Sequence, residues 1–178
     1  QGAGEGGLKY SDICAGPDGR LYCAPYNATA VLVVDPRTQT VSFIEGVGEG
    51  GTKYAGICAG PDGRLYCAPC SADTLLAIET ETQTLSWIEG AGEGGWKHVG
   101  ICAGPDGRLY CAPAGSCALL RCSVGETQRL HEMEARCHDV GFGCEQICRV
   151  NGAGEGGWKY SDICAGPGGR LDFLVSYF

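Results

Sequence analysis

Three observations predict an all-β fold for this chain, a β-propeller segment of about three and a half four-stranded antiparallel blades. A Gly-x-Gly-x-x-Gly string recurs at Gly2-Gly4-Gly7, Gly46-Gly48-Gly51, Gly90-Gly92-Gly95 and Gly152-Gly154-Gly157. Lys9, Lys53, Lys97 and Lys159 fall at spacings of 44, 44 and 62 residues. Each full copy holds four short apolar runs bounded by turn residues, and four-stranded units of about 40–45 residues in tandem are how propeller blades read in sequence. A β-trefoil, also built from four-stranded repeats, is the alternative; the fourth copy counts against it.

The elements follow in order from copy one. Lys9 to Ala15 is the first strand, Pro17-Asp18-Gly19 the turn, and Arg20 to Ala24 the returning strand, since Asp-Gly between apolar runs marks a hairpin. Ala30 to Val34 is apolar on both faces, as in a strand buried between layers. Asp35-Pro36 breaks that run, and Thr40 to Ile44 alternates like a half-exposed outer strand. Copy two repeats the last two strands at Thr74 to Ile78 and Thr84 to Ile88. Copy three reads Arg121-Cys122-Ser123-Val124 where Asp-Pro is expected, and Glu126 to Val140 has helical spacing through Leu130, Met133 and Cys137, with Gly141 as a stop. Asp172 to Phe178 replaces the Tyr-Cys-Ala-Pro of the other copies. The domain is one unit over 1–178, with repeats at about 4–47, 48–91, 92–152 (insertion about 135–152) and 153–178, the last incomplete.

Pro17-Asp18-Gly19-Arg20-Leu21-Tyr22, Val31-Leu32-Val33-Val34-Asp35-Pro36 and Thr38-Gln39-Thr40-Val41 resemble the YVTN and NHL classes of propeller repeat. Ile88 to Trp96, followed by Pro105-Asp106-Gly107-Arg108-Leu109-Tyr110, is similar to the blade of tachylectin, a sugar-binding propeller. The resemblance implies architecture and leaves function open, because propellers host many activities.

The glycine string is also the fingerprint of a dinucleotide-binding loop, which needs a helix opening on its last glycine. After Gly95 comes Trp96-Lys97-His98-Val99-Gly100-Ile101-Cys102, a short apolar run ending in a turn signal. Without a helix terminus there is no dipole to hold a pyrophosphate. The glycines read as punctuation of the repeat, and no cofactor is expected.

With 31 glycines but ordinary aliphatic content, the chain reads as folded. Its net charge of −8 argues against nucleic acid and anionic membranes as partners. No run approaches the ~20 apolar residues of a membrane span. The chain starts at Gln1 and its single methionine is Met133, so a removed leader or a longer parent chain is expected, and the compartment is left unassigned. An open arc would expose an apolar sheet face at each end. At about 25 cal/mol per Å², about 400 Å² per face amounts to ~10 kcal/mol, comparable with the stability of a domain. Self-association of two arcs, or additional blades, is therefore expected.

Thirteen cysteines have two open readings. A two-residue hairpin loop at Asp18-Gly19 would set Cys14 opposite Cys23, Cys58 opposite Cys67 and Cys102 opposite Cys111, as candidate disulfides, while Cys164 would face Phe173. Cysteine also serves as a small buried hydrophobe in tight strand pairs. Cys117, Cys122, Cys137, Cys144 and Cys148 cluster with His131 and His138, but without the spacing of a structural zinc site, so no metal is expected.

His98, His131 and His138 do not recur between copies, and no nucleophile elbow or zincin motif is present. Propeller lyases and lactonases gather histidines or acidic metal ligands at the ring centre, and this chain offers no comparable set; an enzyme of that type is the distant alternative and no catalytic residue is named. The leading reading is a non-enzymatic binding or scaffolding module whose partner, a protein or a carbohydrate ligand, is left unidentified. A lectin-like role is the alternative, with Glu93, Lys97 and Trp96, and Glu155, Lys159 and Trp158, around inter-blade pockets where an indole gives a sugar a stacking face. Glu-Lys repetition could equally tie blade to blade. The copies differ most at Tyr26-Asn27-Ala28-Thr29, Cys70-Ser71-Ala72-Asp73 and Ala114-Gly115-Ser116-Cys117, where partner contacts are expected. Asn27-Ala28-Thr29 is also a glycosylation sequon.

Overall fold

The fold was obtained as a computed structural model, which describes residues 6–115, 118–124, 129–134, 162–165 and 171–174. Strands β1 (Tyr10–Ala15), β2 (Leu21–Pro25), β3 (Ala30–Asp35) and β4 (Thr40–Glu45) form the first antiparallel sheet in sequence order. The second sheet is β5 (Tyr54–Ala59), β6 (Leu65–Pro69), β7 (Thr74–Glu79) and β8 (Thr84–Glu89). The third is β9 (His98–Ala103), β10 (Arg108–Pro113), β11 (Ala118–Ser123) and β12 (Arg129–Glu134). A fourth unit shows β13 (Asp162–Ala165) paired with β14 (Leu171–Leu174). β1, β5 and β9 adjoin one another as the innermost strands, and β13 continues the series beside β9. This is a partial β-propeller, and no helix occurs among the described residues.

Alternation along the strands builds the core. In the second sheet Ile57, Leu65, Cys67, Leu76 and Ile78 point toward the first sheet, where they meet Tyr22, Ala24, Val31, Val33, Ile44 and Val47. Its other face carries Tyr66, Ala68, Leu75, Ala77 and Ile88 against Ile101, Leu109, Cys111, Leu120 and Cys122 of the third. The strand period of two thus serves two interfaces at once, which is why the middle strands read as continuous apolar runs.

The hairpin between the first two strands of each blade corrects the expected register. Gly16 N–H donates to Arg20 O at 2.8 Å and Gly19 N–H to Gly16 O at 3.0 Å, so the loop holds three residues, Pro17-Asp18-Gly19, with Gly19 left-handed at φ +79°. One extra loop residue moves every partner by one. Cys14 therefore pairs with Tyr22 and Ile13 with Cys23; Cys58 pairs with Tyr66 and Cys102 with Tyr110. The candidate bridges Cys14-Cys23, Cys58-Cys67 and Cys102-Cys111 are not formed, because the register sets neither cysteine of a pair opposite the other. Cys164 likewise faces Asp172, with Phe173 opposite Ile163.

The same geometry explains the Gly-Pro-Asp-Gly-Arg-Leu-Tyr run. Tyr22, Tyr66 and Tyr110 fold back to donate their hydroxyls to Asp18, Asp62 and Asp106 at 2.8, 2.7 and 2.8 Å. The ring lies so close that a Cβ on Gly60 would sit 2.5 Å from the Tyr66 ring. Burial and then the neighbouring carboxylate raise the phenol values, that of Tyr22 to about 12.

Copy three departs from expectation where a helix was read. Residues 129–134 of the predicted Glu126 to Val140 helix form strand β12, with Leu130 opposite Cys122 and Met133 opposite Leu119. Edge pairing with β11 outweighs a short local helical pattern. The remainder of that stretch, the insertion and most of the fourth copy lie outside the described residues.

Candidate functional site

One end of the arc gathers two kinds of segment: the loops between second and third strands, and the glycine-rich junctions that lead from one blade to the next. They are joined by a backbone relay. Tyr26 N–H donates to Lys9 O (2.9 Å), Lys53 N–H to Tyr26 O (2.8 Å) and Cys70 N–H to Lys53 O (2.9 Å). Lys97 N–H then donates to Cys70 O and Ala114 N–H to Lys97 O, both at 2.8 Å. The most variable loops of the repeat are thus fastened to a regular frame.

The recurrent lysines belong to this frame. Lys53 is 7% exposed and Lys97 5%. Lys53 Nζ donates to Gly50 O at 2.5 Å; Lys97 Nζ donates to Gly94 O at 2.8 Å and to Ala72 O at 3.0 Å, with Asp73 at 3.9 Å. Burial lowers the value of both ammonium groups, opposed by Glu49 at Lys53 and by Asp73 and Cys70 at Lys97. Glu49 and Glu93 stay exposed. The lysine ties the junction through carbonyl oxygens, so the expected Glu93–Lys97 grouping is replaced by a buried Lys97 and a solvated Glu93. Gly50 and Gly94 both stand at φ +105°, turning their carbonyls toward the ammonium, and Gly90 and Gly92 bend the junction ahead of β9. The glycine string leads into a strand, as expected.

Between these glycines and each lysine sits one residue with left-handed backbone: Leu8 (φ 47°), Thr52 (56°) and Trp96 (57°). Non-glycine residues rarely adopt that region, and bulky ones there are held by their surroundings. Trp96 O accepts the Gly115 N–H at 2.7 Å. Its indole, 39% exposed, stands edge-on to Tyr26 of the first blade, with ring centroids 6.0 Å apart at 63°. Tyr26 packs beneath with Ala55, Cys70 and Val99.

Polar groups border this aromatic pair. Asn27 Oδ1 accepts the Thr52 N–H at 2.8 Å, and Thr52 Oγ1 lies 2.8 Å from Ser71 Oγ. Cys70 is fully buried; burial raises its thiol value, while the Trp96 backbone, Ser71 and Lys97 oppose the shift. A raised thiol is a poor nucleophile. His98 is 2% exposed and supplies no open imidazole at this end. Among the described residues no group of three or more His, Cys, Asp or Glu side chains is arranged to hold a metal. The arrangement offers an aromatic face, hydroxyls and an amide, which is binding chemistry.

Of the site residues read from sequence, Trp96 and Lys97 come together with distinct duties and Glu93 stands apart. Asn27 is exposed, with its amide oxygen already engaged. Glu155, Trp158 and Lys159 lie outside the described residues. Sequence reasoning placed Tyr26 in a variable loop expected to meet a partner but missed its pairing with Trp96, which is distant in sequence and two blades away.

No family model and no curated protein matches the chain. Solved structures do. Selenomethionine-substituted virginiamycin B lyase from Staphylococcus aureus superposes with a TM-score of 0.66 at 17% identity over 92% of this chain and 48% of that one. A catalytically inactive form of that lyase with quinupristin gives 0.71 at 15% identity over 96% and 50%. An auxiliary nutrient binding protein from Bacteroides thetaiotaomicron gives 0.61 at 15% identity over 97% and 43%. The chain spans about half the length of these solved chains.

Proposed function

We propose that this β-propeller segment is a non-enzymatic binding or scaffolding module that meets its partner at the loop end carrying Tyr26, Asn27, Thr52, Ser71 and Trp96. The observation that carries the reading is the placement of the variable loops. The relay of backbone bonds brings the first two divergent stretches, and Ala114-Gly115 of the third, to the same end. Buried, proton-holding thiols and phenols elsewhere support a role without chemistry of its own.

A carbohydrate is the second reading, favoured by the Trp96–Tyr26 pair, because a partly exposed indole ringed by hydroxyl and amide groups suits a sugar face. The nutrient-binding neighbour from Bacteroides is compatible with it, and the two lyase structures bear on the fold. Arrayed glycans and arrayed peptides probed with the full chain and with Trp96→Ala separate the readings. Saturable glycan binding lost in Trp96→Ala supports a lectin; peptide binding lost in the same variant supports the scaffold. Binding of either class that is indifferent to both Trp96→Ala and Asn27→Lys would remove the function from this end of the molecule.

A further inference from the structure

Granted the binding role proposed above, we infer that the partner segment is a basic peptide, and that one of its arginine side chains seats in the corner between Trp96 and Tyr26. Equivalent positions of the repeat show how the indole comes to stand open. Ser71 N–H donates to Thr52 O at 3.0 Å, and in the next copy Gly115 N–H donates to Trp96 O at 2.7 Å. Thr52 and Ser71 also meet through their hydroxyls at 2.8 Å. At Gly115 that is impossible, because a Cβ there would lie 2.9 Å from Trp96 O. The third copy thus exchanges two small polar side chains for one large ring with none opposite it. The junction carrying Trp96 lies between the second and third blades, and the residue is still 39% exposed. Nor does the turn call for a ring, since glycine would adopt φ 57° without strain.

Shape and charge together indicate the occupant. Two rings 6.0 Å apart at 63° make a corner of two aromatic walls, and ring quadrupoles attract a cation placed against them. In the junctions 45–53 and 89–97 the lysines turn inward, Lys53 onto Gly50 O and Lys97 onto Gly94 O and Ala72 O. The carboxylates of the same junctions, Glu45, Glu49, Glu89 and Glu93, are all exposed. Asp73 joins them, its side chain 70% exposed beside Lys97. The neutral polar groups are engaged with one another, Asn27 Oδ1 with the Thr52 N–H and Thr52 with Ser71. Arg20, Arg37, Arg64 and Arg108 lie at the opposite end, each paired with a carboxylate there. The loop end therefore offers solvent an aromatic corner and negative charge. A guanidinium answers both, since its plane stacks on an indole while its fork donates to a carboxylate.

Fluorescence anisotropy of dye-labelled Arg-Gly and citrulline-Gly repeat peptides of equal length, titrated with the full chain, tests this directly; citrulline keeps the outline of arginine and loses its charge. The expected result is saturable binding of the Arg-Gly peptide, about tenfold or more tighter than of its citrulline counterpart and weakened by salt. Trp96→Ala should weaken it about tenfold or more. Glu93→Gln and Asp73→Asn should each weaken it about two- to fivefold, and Glu81→Gln, at the opposite end, should leave it unchanged. Trp96→Gly, which accepts the left-handed backbone, serves if Trp96→Ala does not fold, with circular dichroism checking that the β signal is retained. Equal affinity for the two peptides overturns the inference, as does the lack of saturable Arg-Gly binding. Trp96-dependent binding of a neutral peptide or an arrayed glycan instead overturns the basic occupant and leaves the binding role standing. Arg-Gly binding indifferent to Trp96→Ala, Trp96→Gly and Asn27→Lys overturns both.

Discussion

Ile13 and Ile57 occupy the same position in successive copies of one repeat, on innermost strands with the same bulge, yet one is 53% exposed and the other 5%. Around Ile57, the second sheet has a blade on either side, and every residue of its middle strand from Leu75 to Ile78 is fully buried. Around Ile13, the first sheet presents a row of the same composition with no described blade over it. The repeat therefore encodes a surface that is half of an interface. Burial at each copy is a property of its neighbour as much as of its own residues, as holds for stacked repeats in general.

Substitutions sharpen that contrast. The largest effect is expected for Ile57→Ala, which should cost about 2–5 kcal/mol as a buried large-to-small change, whereas Ile13→Ala, measured by urea unfolding at high dilution, should cost under about 1 kcal/mol. Equal losses at the two sites in a monomer would erase the distinction between the faces. Next comes Gly56→Ala, expected to cost about 1–3 kcal/mol because its new methyl would meet backbone, Val99 O at 2.9 Å and the Gly100 Cα at 3.0 Å, which cannot swing aside. At the matching position Asp12→Ala removes the carboxylate that accepts both the Ile57 and the Ile13 N–H, a loss of about 1–3 kcal/mol in the same unfolding assay.

Alkaline titration reads the buried thiols and phenols of the two sheets. Burial raises the thiol values of both Cys67 in the second sheet and Cys23 in the first. A value raised in the fold means the unfolded chain releases its proton first, so the stabilisation is complete below about pH 9 and is lost as pH climbs through the ordinary thiol and phenol values toward the folded ones. The urea midpoint should fall from pH 9 upward, and Tyr22→Phe should flatten the part between 10 and about 12. A midpoint independent of pH across that window would contradict the burial of these groups. The smallest effect belongs to Glu93→Gln, expected within about 0.5 kcal/mol by thermal unfolding because the carboxylate stays solvated.

Much of this architecture was legible without coordinates. The lysine spacing, the Asp-Gly turns and the apolar runs at 30–34 and 74–78 located the strands of the first two blades within about a residue. Two readings failed for identifiable reasons. A loop of two residues rather than three was enough to bring cysteine opposite cysteine, and strand register has no tolerance for an error of one. The predicted helix beginning at Glu126 rested on local spacing, which carries no information about the free edge of β11. At the candidate site, recurrence drew attention to Glu93 and Lys97, although recurrence marks what the frame needs. The aromatic pair joins residues 26 and 96, and neither position repeats its ring in a described copy.

By itself the sequence determined the unit: four strands, their alternation, the bends between them and the order in which the units follow. Those properties are local, written in backbone preferences and in a period of two. Only the tertiary structure decided what each unit touches. It buried the lysines against carbonyl oxygens, set Tyr26 beside Trp96 across two blades, and left Ile13 exposed where its equivalent Ile57 is buried. Contacts between units depend on packing distances of tenths of an ångström and on which neighbour is present, and identical repeats cannot specify either from within.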